Sequence, residues 1–147
     1  MSITNIGTTV EVSATLPASD DQAGYELLTW TEVEGVLSMG GFGPTHEILN
    51  QTYLKDGIVR KAHGSKNLGD PDLMYSPAEA GAGQGILKTA LDSQATISIK
   101  VSRPSGRVQY CQCIVGGVAD DEANANNTTG QTSSIAMSSG YVEVAAP

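Results

Sequence analysis

Positive charge is scarce in this sequence. Eight Lys and Arg stand against sixteen Asp and Glu, for a formal net charge of −8, and none of the eight precedes Lys55. Tight or sequence-specific nucleic-acid binding needs Lys and Arg gathered against phosphates, so that function class is excluded. Aromatic residues make up only 5% of the chain, with one Trp and one Phe, too few for a sugar-stacking platform. No apolar run approaches the ~18 residues of a transmembrane helix, and residues 1–7 lack the basic and apolar regions of a secretory signal. The chain is therefore expected to be made and kept in a cytoplasm until it assembles.

Cysteine is nearly absent too, with only Cys111 and Cys113. One residue apart in a strand-like stretch, they project from the same face about 7 Å apart, a strained arrangement for a disulfide. There is no second Cys pair, and His46 and His63 are remote in sequence, so zinc ligation is not expected either. Two free thiols, buried as small apolar groups, are the expectation.

What is present reads as one mainly-β domain. A chain of 147 residues can bury about two-thirds of its unfolded surface in one core. Period-2 alternation runs through residues 9–13, 95–101 and 108–114, with shorter candidates at 30–36, 58–62, 73–75, 134–137 and 141–144. Between the second and third of these, Pro104 and Gly106 supply tight-turn chemistry, which predicts an antiparallel hairpin. Helical pattern is confined to about 78–92, opened by Pro77 with Ile86, Leu87, Ala90 and Leu91 on one face, and to a short stretch at 19–28 capped by Ser19 or Asp20. Residues 40–54 and 119–130 read as long loops, the second acidic and Asn-rich.

Charge is unevenly placed along the chain. Seven acids (Glu11, Asp20, Asp21, Glu26, Glu32, Glu34 and Glu47) fall before Lys55, and the next twelve residues carry Lys55, Arg60, Lys61 and Lys66 against Asp56 alone. If the two segments lie on opposite surfaces, a positive patch on one copy can meet a negative patch on the next, a head-to-tail contact that closes into rings or continues as a filament. The competing reading is that acidic and basic strands neutralise each other within one subunit.

No motif supports catalysis or cofactor binding. Gly81, Gly83 and Gly85 do not form the dinucleotide fingerprint and have no strand directly before them. Asp120, Glu122, Asn124 and Asn126 alternate as in a calcium loop, but Ala125 stands where the turn Gly is required and Gln131 where the bidentate Glu belongs. His63 and Ser65 are too close in sequence, and without an orienting acid, to make a triad. Asn50 and Asn126 head glycosylation-type triplets that mean nothing without secretion. Trp30 is expected as a core or inter-subunit anchor.

One resemblance orders these features. Residues 24–36 (Gly24, Tyr25, then Leu27 through Val33 around Trp30, and Gly35 and Val36), followed by Gly41, Phe42, Gly43, Pro44 and Thr45, resemble the N-terminal segment of tail tube proteins of long-tailed, siphovirus-like bacteriophages. The small-residue run at 13–18, the stretch 57–65 and the helix segment 85–91 match in order, together spanning most of residues 8–118. The segment 68–80 and the C-terminal third do not match.

The resemblance implies a two-sheet β-sandwich or partly closed barrel with one flanking helix, assembled as stacked hexameric rings into a hollow tube that conducts DNA. It also implies an N-terminal arm at about 1–8, a stacking loop at about 42–66 and a C-terminal strand region at about 128–147. Phe42, Lys55, Arg60, Lys61 and Lys66 would then stack ring on ring. Glu26, Glu32, Glu34 and Glu47 would form the complementary acidic surface or line the lumen, where like charge keeps DNA from adhering. The partners implied are further copies of the chain, tape measure, terminator and baseplate or tip proteins, and genomic DNA passing non-specifically, in a virion tail assembled in the host cytoplasm, with no membrane, metal or cofactor. A tail terminator or secretion-type tube ring is the nearest alternative, and a small β-sandwich adhesion module the alternative of another class.

Overall fold

The alternating stretches become strands. The computed structural model describes residues 6–76, 82–120 and 130–145. In chain order its elements are β1 (Thr9–Ser13), α1 (Gln22–Glu26), β2 (Thr31–Glu32), β3 (Val36–Met39), β4 (Thr45–Thr52), β5 (Val59–Asn67), β6 (Asp72–Tyr75), α2 (Ala82–Ser93), β7 (Ile97–Ser102), β8 (Val108–Asp120) and β9 (Gln131–Val144).

The expected hairpin is β7–β8. The Arg103 N–H donates to the Arg107 carbonyl at 2.8 Å and the Gly106 N–H to the Arg103 carbonyl at 3.0 Å, which sets Ser102 opposite Val108 and Ile97 opposite Cys113. From this hairpin an antiparallel sheet extends both ways in the order β2-β1-β7-β8-β9-β6-β3. One face of it is apolar: Val10, Val12, Ile97, Ile99, Val101, Leu73, Tyr75 and Ile135 are all buried in one core. Each fully buried aliphatic side chain contributes about 1.5–3 kcal/mol relative to exposure.

The sheet is curled, and the chain shows why. Residues 30–36, expected as one strand, divide at Gly35, whose φ of +71° suits glycine and turns the backbone. Thr31–Glu32 therefore pairs with β1 at one edge and Val36–Met39 with β6 at the other. Three residues join the two outermost strands, so those edges must approach, giving a half-barrel. This is the partly closed barrel of the expected fold.

Helix α2 lies across β8, β1 and β2 and buries Gly83, Gln84, Leu87 and Ala90. A Cβ on Gly83 would lie 2.5 Å from the Glu32 carbonyl oxygen, and the Gln84 side-chain N–H donates to the Glu34 carbonyl. The expected helix start at residue 78 and the Pro77 opening lie outside the described residues. So do Glu122, Asn124 and Asn126 of the calcium-like pattern. No described helix is long and apolar enough to cross a membrane.

Helix α1 is shorter than expected and is capped by Asp21, not by Ser19 or Asp20, through the Gly24 N–H at 2.8 Å. It presses Tyr25 onto the sheet, where the ring stacks on Tyr110 at 5.0 Å and its hydroxyl donates to the Gly140 carbonyl at 2.7 Å. Trp30 closes the cluster at 5.9 Å from Tyr110, its ring N–H donating to the Tyr25 carbonyl. The Trp thus anchors within the subunit. The candidate strands at 134–137 and 141–144 are one strand, β9, with register shifts against β8.

Cys111 and Cys113 are buried and free. Burial pushes their thiols up from 9.0 to about 11 and about 12, and pushes the Tyr25 phenol up from 10.0 to about 12. Each acid holds its proton more tightly folded than unfolded, so its contribution to stability is complete below the unfolded value and is lost as pH rises toward the folded one. Thermal unfolding followed by circular dichroism should be insensitive to these groups up to about pH 9 and fall between about 9 and 12. The Cys111→Ala, Cys113→Ala double variant should show a shallower decline.

Candidate assembly surface

Strands β4 and β5 form a second, two-stranded sheet that leaves the half-barrel. The stretch at about 42–66, implied as a stacking loop and containing the strand candidate at 58–62, is a hairpin arm, registered Thr45 to Asn67, Leu49 to Ala62 and Thr52 to Val59. At its turn the Gly57 N–H donates to the Tyr53 carbonyl, and the Asp56 carboxylate accepts from the Ile58 N–H at 3.0 Å. At its root, the Thr45 hydroxyl donates to the Asn67 carbonyl and the Gly43 N–H to that of Leu68. Leu68 is buried, yet no residue from 45 to 67 belongs to the core.

The arm exposes apolar side chains along its length. Ile48, Leu49, Tyr53, Leu54, Ile58 and Val59 are all exposed, Leu54 completely. A lone two-stranded hairpin is marginally stable in water, so an arm this apolar on its exposed surface is a candidate site of association.

The residues predicted for stacking divide. Lys55, Arg60, Lys61 and Lys66 stand on the arm and are exposed, whereas Phe42 turns inward, edge-on to Tyr141 at 6.0 Å and packed against the core. Arg60 is engaged locally: its guanidinium pairs with Asp56 at 2.8 Å and lies 4.6 Å from the centre of the Tyr53 ring. That guanidinium, with the Ile58 N–H, holds the Asp56 carboxyl below its ordinary value. Lys55, Lys61 and Lys66 form no ion pair among the described residues.

The predicted acidic set is not gathered in one place. Glu47 lies on β4, on the same arm as the basic residues, and forms no ion pair among the described residues. Glu32 is on edge strand β2, directly opposite Glu11, and Lys100 relieves that like-charge pair with an ion pair to Glu11 at 3.6 Å. Glu26 ends α1 and accepts from Gln22, while Glu34 is exposed between β2 and β3. The apolar arm residues are the ones that charge-based reading missed. Their signal was the pair Tyr53 and Leu54 and the pair Ile58 and Val59 flanking a turn.

A cleft of about 230 Å³ lies between edge strand β3 and the start of β1, lined by Thr8, Val36, Leu37, Ser38, Met39 and Arg103. His63 packs edge-on against His46 across the arm at 5.1 Å. Among the described residues no three His, Cys, Asp or Glu side chains group as metal ligands.

Comparison with solved structures identifies the fold. A chain in the six-fold-symmetrised cryo-EM structure of the anti-feeding prophage (AFP) baseplate is similar, with a TM-score of 0.67, 10% identity, and 98% of this chain and 97% of that one covered. A chain in the sheath/tube terminator of the extracellular contractile injection system PVC, in its extended state, gives 0.65 at 12% identity, covering 99% and 98%. A chain of the PVC sheath-tube complex gives 0.60 at 11% identity, covering 94% and 88%. The fold is tail-tube-like, and these neighbours belong to contractile injection particles, so the likeness is not specific to long-tailed phages. No protein-family model and no curated protein sequence matches the chain.

Proposed function

We propose that this chain is a structural subunit that polymerises, ring on ring, into the hollow tube of a phage-tail-like particle. The observation that carries the reading is the β4–β5 arm, which leaves the half-barrel and whose apolar side chains are exposed among the described residues. Six copies closed through the edges of the half-barrel would satisfy the strand groups that otherwise invite aggregation. The arm would then reach the neighbouring ring, with Lys55, Lys61 and Lys66 on its exposed surface meeting acids there. The net charge of −8 suits a wall past which DNA or another polyanionic cargo slides. Tape-measure, terminator and baseplate-type proteins are the expected further partners, in a particle tail assembled in the host cytoplasm.

A second reading is a terminator ring that caps a tube, since a chain in the PVC sheath/tube terminator structure shares the fold over nearly its whole length. The two readings differ in growth. A tube subunit adds rings without limit, whereas a terminator stops at one. The adhesion-module alternative is the less supported one, since Tyr25, Trp30 and Tyr110 are packed on one another. Sedimentation velocity over a concentration series tests the proposal: species growing continuously beyond 15.2 kDa are expected. A single closed ring favours the terminator, and an unchanging monomer contradicts both.

A further inference from the structure

Between α2 and β7 runs an apolar groove of about 350 Å³, lined among others by Ala14, Ile86, Thr89, Ala90, Ala95 and Ile97. On the helix side its lining is small at Ala82, Gly85 and Ala90, with Ile86 among them. We infer that this groove receives the tip of the β4–β5 arm from a second copy of the chain, with Leu54 as the inserted side chain; the inference rests on the assembly proposed above and names the surface on which the arm docks.

The tip is built to present Leu54. Asp56 is fixed by the Ile58 N–H and by Arg60, Arg60 lies over Tyr53, and the Gly57 N–H bonds the Tyr53 carbonyl. These contacts brace the turn and leave Leu54 wholly exposed. A braced knob loses little freedom on docking.

Charge fixes the direction. The last turn of α2 contains no basic residue and carries exposed Asp92, and Ser93 of that turn lines the groove. This is the negative end of a helix dipole. Lys55, adjacent to Leu54 and unpaired, would meet it, so apolar insertion and charge pairing act together. Knob and groove lie on different parts of one chain. Every copy therefore donates one and accepts one, a heterologous contact that propagates into a ring or a filament.

Engineered disulfides test this in the full chain. The native thiols are buried, so Leu54→Cys combined with Thr89→Cys places the reactive pair at knob and groove. Oxidation of assembled protein should give a covalent ladder at multiples of 15.2 kDa on a non-reducing gel, and each single variant at most a dimer. A second pair, Leu54→Cys with Leu37→Cys, samples the open β3 edge. Assemblies visible by electron microscopy that ladder only through the Leu37 pair, or through neither, overturn the groove while leaving the assembly reading intact. Absence of any assembly in the wild-type chain removes both. Should the first pair itself block assembly, Ile86→Asp decides. It is expected to raise the concentration at which assembly begins by about tenfold or more, and an unchanged threshold overturns the inference.

Discussion

Shortening the β4–β5 arm to a two-residue Asn-Gly turn between Thr45 and Asn67 should abolish assembly and leave the subunit folded. Thr45 and Asn67 are a registered antiparallel pair, which a turn of this type closes without splaying the strands. Nothing removed contributes to the core, so thermal unfolding should change by no more than about 0.5–1 kcal/mol. Assembly loses several apolar side chains at once, among them Leu49, Leu54 and Ile58. At about 1.5–3 kcal/mol for each one buried between subunits, the threshold concentration should rise at least about a hundredfold. Light scattering and circular dichroism on the same sample separate the two effects. A trimmed chain that unfolds would mean the arm supports the half-barrel.

Two glycines of α2 should respond to alanine in opposite directions. Alanine is the better helix former by up to about 1 kcal/mol, and at Gly85 an added Cβ meets nothing within 4 Å, so Gly85→Ala should stabilise slightly. At Gly83 the added Cβ would lie 2.5 Å from the Glu32 carbonyl oxygen and 2.9 Å from the Val33 Cα. These are backbone atoms that cannot rotate away. The helix must lift, loosening Leu87 and the Gln84 bond to the Glu34 carbonyl. Overpacking of this kind costs about 1–3 kcal/mol, and the disturbed hydrogen bond adds about 1 kcal/mol, so the clash outweighs the propensity gain. Gly83→Ala should destabilise and Gly83→Val more so, read as a lower denaturation midpoint; equal midpoints for the two alanine variants would refute this packing of α2 on β2.

Local chemistry made the β7–β8 hairpin readable, because its turn residues and alternation lie within one short stretch. Of the arm, only the start of β5 was readable as strand, in the candidate at 58–62; β4 was not. Ile48 and Leu49 are adjacent, so they fall on opposite faces, and with both faces in solvent no period-2 pattern arises. Pairing with β5, known only from the fold, makes the segment a strand. Similarly, residues 30–36 looked continuous until the Gly35 turn sent the two halves to opposite edges. Three successive cap-competent residues preceded α1, and geometry selected Asp21. The basic cluster was visible as a charge run, but its placement on the same arm as Glu47 and the inward turn of Phe42 depend on tertiary packing.

Electron microscopy of negatively stained full-length chain across a concentration series, beside the arm-trimmed variant, tests the central claim most directly. The expected result is rings and hollow tubes that lengthen with concentration for the full chain, and only dispersed particles for the trimmed one. Full-length protein that stays dispersed at every concentration, or trimmed protein that forms the same tubes, would contradict it.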